Sequence, residues 1–371
     1  MQSKPTLVLD ARKAFDSGIG TYIRNLIPYL NQEFELSLIG KQSDLNLFGC
    51  KVLDTNSKPY SISDFYLPTL LAGKPDIFWT PHFNFPLFTP RAKLNVATLH
   101  DLYHKSHWNI LSFKQKVIYN VFLNNIKREA DLVFTISDFT RKEIAKFYPD
   151  ILPKTSLIHL GVDFNVFKRQ TQKLHPLIRQ EYNLPEKYIL FVGNLKPNKN
   201  VIMLLKAYKL WIGSNESPDV SLVITGKNTG FRIGDNEAVD FINQNGLERH
   251  VHFTGFVNEE HLPLLYQNAW LFAFPSLYEG FGLPPLEAMA CGCPVICSTS
   301  ASIPEVCQDN ATYFDANSPE ELKDLLVKIN SDKSVFNKKA ELAADWVHKY
   351  QWSLTAEKHI RMLKDSLAVK S

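Results

Sequence analysis

The chain has 371 residues, too many for one ordinary hydrophobic core and well suited to two domains. Its composition, 45% hydrophobic and 21% charged, is that of a globular protein and excludes a disordered or fibrous chain. A formal net charge of +3 lacks the concentrated Lys/Arg stripe that a nucleic-acid partner calls for, so no nucleic acid is expected; it is compatible with peripheral contact at an anionic membrane surface.

In chain order, the opening MQSKPTLVLD reads as a short apolar strand, without the longer hydrophobic core of a signal peptide. No run of about 18 apolar residues follows, so no spanning helix is expected. Five cysteines, an odd number placed mostly late, fit a reducing compartment better than a disulfide framework. The expected location is the cytoplasm, with at most peripheral contact at the inner face of the membrane. TLVLD is a buried strand, and a helix follows from about Ile19, with Ile19, Tyr22, Ile23, Leu26, Ile27 and Leu30 at helical spacing. ELSLIG, DIFWT, LNVATLH and DLVFTIS are further strands, and SLIHLGVD closes the first half.

The polar stretch from Phe167 to Pro185 reads as a linker. A second alternating set begins beyond it, with strands YILFVG, VSLVITG, VHFTG, WLFAFPS and PVICS. One intervening helix carries Val201, Leu204, Leu205 and Tyr208 on one face, and the chain ends in an amphipathic helix from about Trp352 to Leu367. Strands alternating with helices predict an α/β protein of two Rossmann-like parallel-sheet domains, over 1–166 and 167–352. Ligands of such sheets bind beyond the C-terminal ends of the strands.

The most informative stretch is FPSLYEGFGLPPLEAMACGCPV. A strand ends there in the loop Tyr278 to Gly282 and runs into a helix whose start suits Pro284 and Pro285 and whose stop suits Gly292. Backbone N–H groups around Phe281, Gly282 and Leu283 would point out at the positive end of that helix, ready for an anion or hydroxyls. Glu279 and Glu287 bracket the start, and a carboxylate accepts two hydroxyl hydrogen bonds, as the vicinal diol of a sugar or ribose requires. An ordinary strand–loop–helix junction is the competing reading. In FVGNLKPNKNVIMLLKAY, Asn194, Lys196 and Lys199 occupy a strand-to-helix mouth where lysines can neutralise phosphate oxygens, although a solvated basic loop would look the same.

SGIGTYIRNL places Gly18 and Gly20 at a helix opening, but no third glycine stands at Ile23 and the loop from Asp10 is long, so the dinucleotide fingerprint is weak. His100 directly follows a strand, which sets it at the strand's C-terminal end. With His104 and His107 it superficially resembles a zinc helix, yet the glutamate of that motif is missing. Cys291, Cys293 and Cys297 fall on a helix end, a turn and a strand, so their thiols diverge rather than converge on a metal. No metal site is expected.

Together these stretches resemble glycosyltransferase family 4, retaining enzymes of the GT-B architecture, from about Gly18 to Trp352. EGFGLPPLEAMACGCPVI with SIPEV is the specific part, and TPHFNFPLF, LHDLYH, TISDFTRKEI, HLGVDFNVF, VGNLKPNKNV and FTGFVNEEHLPLLY occur in the family's order. The resemblance implies an acceptor-side N-terminal domain, joined by a C-terminal helix over 353–371, and a donor domain facing it across a central cleft. It implies that Glu279 holds hydroxyls of the transferred sugar beside Phe281 and Gly282, and that Glu287 binds the ribose. Lys199 would lie on the diphosphate, with the Leu283 N–H helping to hold phosphate and Phe256 and Val257 bordering the nucleobase. Gly18 would lie near the diphosphate and acceptor, and His100 would touch the sugar. Many members carry arginine where this chain has Asn194, and a first glycine where it has Ser17.

The expected activity is metal-independent, retaining transfer of a hexose, mannose-like, from a nucleotide diphosphate sugar to a saccharide or lipid-linked saccharide acceptor in surface polysaccharide biosynthesis. No cofactor beyond that co-substrate is expected, and no Asp-x-Asp metal motif occurs. The alternatives are a nucleotide-sugar epimerase on the same fold and a non-catalytic nucleotide-sugar-binding protein. A hydrolase using both glutamates fits less well, because such pairs flank the scissile bond.

Overall fold

A computed structural model describes residues 3–59, 61–169, 174–214, 219–226 and 235–370. The chain divides into two compact units, one of Met1–Gly161 with Tyr350–Ser371 and the other of Val162–Lys349. The crossings thus fall at Gly161/Val162 and Lys349/Tyr350, where the sequence reading put them after 166 and 352.

The first unit holds a seven-stranded parallel sheet of β1 (Thr6–Asp10), β2 (Glu35–Gly40), β3 (Lys51–Asp54), β4 (Ile77–Thr80), β5 (Leu94–Leu99), β6 (Leu132–Thr135) and β7 (Thr155–Leu157). The order is β3-β2-β1-β4-β5-β6-β7. β4 and β6 are buried along their whole length, as parallel strands covered on both faces must be. From β1 the chain runs outward to β2 and β3, then crosses back to β4 on the other side. β1 and β4 are therefore the switch point, where the crossovers diverge and open a crevice at the strand ends.

The Ser17–Glu33 helix lays Tyr22, Ile23, Leu26, Ile27 and Leu30 on this sheet. Gly20 is imposed by packing, since a Cβ there would sit 2.6 Å from the Ala14 carbonyl oxygen. The C-terminal helix, Trp352–Lys370, packs on the Ser17–Glu33 helix and on β5. Its His359 ring is buried, with Nδ1–H donating to Thr355 O at 2.8 Å and Nε2 accepting from the Tyr22 hydroxyl at 2.7 Å. Burial pushes the pKa of His359 down to about 3.

The second unit holds a six-stranded parallel sheet of β8 (Tyr188–Val192), β9 (Ser221–Thr225), β10 (Val251–Gly255), β11 (Leu271–Phe274), β12 (Val295–Ser298) and β13 (Thr312–Phe314), in the order β10-β9-β8-β11-β12-β13. Its switch point lies between β8 and β11. The Val201–Ile212 helix covers one face through Leu204, Leu205, Tyr208 and Trp211, and Trp211 stacks on Trp270 at 5.6 Å.

Two edge strands, β3 and β13, lie outside the sequence reading. Part of the expected linker is ordered: Pro176–Glu181 is a helix whose first turn is capped by His175, with Leu177 N–H donating to Nδ1 at 3.3 Å. Residues 170–173 of that stretch lie outside the described residues. Cys291, Cys293, Cys297 and Cys307 are buried free thiols. Among the described residues no helix is long and apolar enough to cross a membrane.

Candidate functional site

All strands of the second sheet are parallel, so the chain leaves β8, β9, β10 and β11 along one edge. After β8, Gly193 passes so close to Gly226 that a Cβ on Gly226 would lie 2.1 Å from the Gly193 carbonyl oxygen. The loop continues through a 3₁₀ turn, Pro197–Lys199, to Asn200, whose left-handed backbone (φ 56°) turns it into the Val201–Ile212 helix. Asparagine tolerates that conformation better than most residues.

The loop after β11 is laced to this one. Asn198 O accepts from Leu277 N at 2.8 Å and Asn198 Nδ2 donates to Tyr278 O at 3.1 Å. Asn200 Nδ2 donates to Pro275 O at 3.2 Å and Ala316 O at 2.8 Å. The lacing sets Lys199 Nζ 2.6 Å from Glu279 Oε1, with only 16% and 14% of the two side chains exposed. Lys199 Nζ also stands 5.5 Å above the Phe274 ring, where the aromatic face favours a cation.

The Ser302 hydroxyl fixes the far side of the loop, donating between Glu279 O at 2.9 Å and Phe281 O at 2.7 Å. Gly282 then adopts φ 112°, which an L side chain rarely adopts, and its turn starts the Leu283–Ala290 helix with prolines in its first turn. Phe281 is buried and Leu283 half-buried. Glu287 follows one turn in, its Oε2 accepting from the buried Tyr266 hydroxyl at 3.1 Å. Although part of Glu287 stays exposed, desolvation outweighs the Tyr266 hydrogen bond and raises its pKa to about 7.

Residues 176–349 match the family profile described as Glycosyl transferases group 1, and residues 17–166 match the one described as Glycosyltransferase Family 4. The chain belongs to glycosyltransferase family 4. It is 31% identical over 268 residues to O-antigen chain mannosyltransferase B of Escherichia coli, covering 70% of this chain and 66% of that one. It is 30% identical over 245 residues to the serotype-specific mannosyltransferase WbdA of Escherichia coli, covering 64% of this chain but only 29% of that longer protein. The crystal structure of Anabaena Alr3699/HepE in complex with UDP and glucose superposes with a TM-score of 0.82 over 97% of this chain and 100% of that one, at 19% identity. That likeness establishes the fold, which is GT-B.

Against the family's pattern, Asn194 Oδ1 accepts from Lys196 N at 3.3 Å, which leaves its amide as a donor, and Lys196 itself is exposed. Phe256, just past β10, is exposed while Val257 is buried. The side chain of Ser17, the family's other departure, lies outside the described residues.

The remaining two expected residues belong to the first unit. Gly18 lies in the first turn of the Ser17–Glu33 helix with no atom within 4 Å of where a Cβ would stand. His100 follows β5, and its Nε2–H donates to Pro81 O at 3.0 Å while its ring meets Tyr22 edge-on at 4.9 Å. Burial lowers its pKa to about 4, so the ring is neutral near pH 7 with Nδ1 as the acceptor nitrogen. His104 and His107 pack as aromatic rings, against Tyr119 at 5.4 Å and Tyr103 at 4.2 Å. Among the described residues no three His, Cys, Asp or Glu side chains cluster as metal ligands.

Asn198, Asn200, Tyr266 and Ser302 escaped the sequence reading. The run Asn198-Lys199-Asn200 carries a signal for the first pair, because asparagine favours left-handed turns and side-chain bonds to nearby backbone. Tyr266 and Ser302 come from distant segments, and nothing local marks them.

Proposed function

We propose that this protein transfers a hexose, mannose-like, from a nucleotide diphosphate sugar to a saccharide or lipid-linked saccharide acceptor in surface polysaccharide assembly, with retention of anomeric configuration and no metal. The observation that carries this reading is the Lys199–Glu279 pair at the switch point of the second sheet, beside a helix start and one helical turn from Glu287. An arriving diphosphate takes Lys199 away from Glu279. The freed carboxylate then accepts hydrogen bonds from hydroxyls of the sugar, while Glu287 accepts from the ribose diol. Support for the donor and acceptor classes comes from the relatives' names as O-antigen and serotype-specific mannosyltransferases, and from the UDP and glucose in the HepE complex.

As the anomeric carbon–oxygen bond breaks, negative charge grows on the leaving diphosphate. Lys199 and the N–H groups at the start of the Leu283–Ala290 helix are preorganised to meet it, and each such donor is worth roughly 3–4 kcal/mol of barrier. The acceptor hydroxyl attacks from the face the diphosphate leaves, and a phosphate oxygen takes its proton. Glu279 orients the sugar and is assigned no proton-transfer role.

Contact with an anionic membrane carrying the acceptor is supported by the first unit. Between Thr55 and Arg128 nine lysines and arginines stand against three aspartates. Ile62, Leu70, Phe88 and Phe113 are exposed in the same segment.

A donor screen by thermal shift, followed by transfer assays with saccharide acceptors, tests the reading. A ligand at about 100 times its dissociation constant stabilises by about 2.7 kcal/mol, which is easily read. Turnover of donor into its epimer without acceptor would assign the fold to the other chemistry, and binding without turnover would make it a binding protein.

A further inference from the structure

Lys199 stands between two asparagines, and both spend their side chains on other loops. Asn200 precedes the Val201–Ile212 helix, in the position where an asparagine ordinarily accepts from the free N–H groups of the first turn. It makes no such bond. Its amide donates instead to Pro275 O, just past β11, at 3.2 Å and to Ala316 O, just past β13, at 2.8 Å. An amide has two hydrogens to give, so both go outside the helix. Asn198 serves the other flank, with Nδ2 donating to Tyr278 O and its carbonyl accepting from Leu277 N.

Two requirements meet at Asn200, and few residues satisfy both. Its backbone is left-handed, at φ 56°, which glycine adopts freely and asparagine tolerates. Glycine has no amide to give. Aspartate has the shape and suits a helix start, but its carboxylate would face two carbonyl oxygens with no hydrogen between them.

With a tied neighbour on each side, and its own N–H donating to Lys196 O at 2.8 Å, the Lys199 backbone is fixed at both ends. Only the side chain from Cα to the ammonium is left to move. That ammonium lies 2.6 Å from Glu279 Oε1 and is largely shielded from water. A grip on an anion is stronger when its donor is ordered before the ligand comes, since binding then has less ordering left to do.

We propose that Asn198 and Asn200 are positioning residues for a bound diphosphate, acting through Lys199: they hold its backbone where the ammonium reaches phosphate oxygens, and they leave its charge as it is. The proposal deepens the reading of Lys199 as the cation on the diphosphate and rests on it.

The test uses the full-length protein and calorimetry with uridine and guanosine diphosphates. At least one should bind, and Asn200→Gly, which keeps the left-handed turn, should lower its affinity about fivefold or more. Asn198→Ala should act in the same direction. In a Lys199→Ala background neither substitution should lower affinity further, since the group they position is gone. Both asparagine variants keep the ammonium, so salt should weaken their binding as steeply as it does the parent's, and less steeply in Lys199→Ala. A merely structural role gives losses that add in full whether or not Lys199 is present. Unchanged affinity in Asn200→Gly, or full additivity with Lys199→Ala, overturns the proposal. Should Asn200→Gly fail to fold, Asn198→Ala decides by the same two criteria. If the coupling to Lys199 holds and no donor supports transfer, the positioning role stands and the transferase reading falls. If transfer proceeds and the asparagine variants bind like the parent, the positioning role falls alone. Binding of neither diphosphate removes both.

Discussion

Lys199 Nζ lies 2.6 Å from Glu279 Oε1 although eighty residues separate the two in sequence, and neither side chain is more than one-sixth exposed. Each neutralises the other before any donor arrives. Removing either partner therefore does more than remove one contact. Lys199→Ala should lower transfer by about 10²–10³, the loss of one preorganised donor worth roughly 3–4 kcal/mol, and should weaken nucleoside diphosphate binding as well. Glu279→Ala should abolish transfer while changing nucleoside diphosphate affinity by no more than about fivefold, because the lysine keeps its charge. Calorimetry and initial rates on both variants separate the two effects, and full transfer by Glu279→Ala would remove the sugar-holding role.

Glu287 predicts a pH profile. Its pKa is raised to about 7 in the folded protein, so below that pH it carries a proton and loses part of its capacity to accept from a diol. Nucleotide affinity should rise as pH is taken from 6 to 8, a window set by that value, and Glu287→Gln should flatten the rise. Tyr266→Phe removes the hydrogen bond that favours the ionised form, so it should move the midpoint upward. A group whose folded pKa is raised stabilises below its unfolded value near 4.5 and loses that contribution as pH climbs through 7. Ligand binding and stability thus run in opposite directions over this range.

His359 gives the reverse sign. Its pKa falls from 6.5 to about 3 on folding, so its burial contributes fully above pH 6.5 and the contribution is lost as pH falls toward 3. Over that span the loss is on the order of a few kcal/mol. Thermal unfolding followed from pH 7 down to 4 should show the first unit weakening, and His359→Gln should reduce the slope. An unchanged slope would mean that the buried ring is not what titrates.

Two glycines two residues apart should behave differently. A methyl at Gly20 collides with the Ala14 carbonyl oxygen at 2.6 Å, and Gly20→Ala should destabilise by about 1–3 kcal/mol. A methyl at Gly18 meets nothing, so Gly18→Ala should leave stability within about 1 kcal/mol of the parent. Any loss of transfer in Gly18→Ala then reports crowding of a ligand rather than of the fold, and urea unfolding beside a rate assay decides it.

Membrane contact predicts co-sedimentation with phosphatidylglycerol vesicles and not with phosphatidylcholine vesicles, falling with salt, since each basic residue near such a surface contributes about 1 kcal/mol. Leu70→Glu and Phe113→Glu should each weaken it, because both side chains are exposed in the basic segment. Equal sedimentation with both lipids would exclude an electrostatic component.

The parts legible in the sequence are those that announce themselves locally. YILFVG, WLFAFPS and PVICS are unbroken apolar runs, and the strands β8, β11 and β12 fall within them because strands buried on both faces admit nothing else. β3 and β13 are short edge strands, half-exposed, with too few residues to show a period. Glu279, Glu287 and Lys199 are conspicuous because charged residues beside glycine and proline at a strand-to-helix mouth have few structural reasons to be there. The Arg12–Asp64–Asn84–His82 chain of hydrogen bonds in the first unit gave no such sign, since its bonds span separations of 52 and 20 residues. His82-Phe83-Asn84-Phe85 lies outside any strand, so its alternation of polar and aromatic residues carries no facing to read.

The C-terminal helix has a consequence for how the protein is made. Tyr22 hydrogen-bonds with His359, 337 residues later, and Thr355 donates to His159 O across 196. The first unit, though its strands precede the second unit in the chain, cannot finish its interior until the Trp352–Lys370 helix has been made. The second unit, Val162–Lys349, is complete in the nascent polypeptide before that moment. Order of emergence and order of closure are reversed, and the sheet bearing Thr80 waits open while the one bearing Lys199 is already shut.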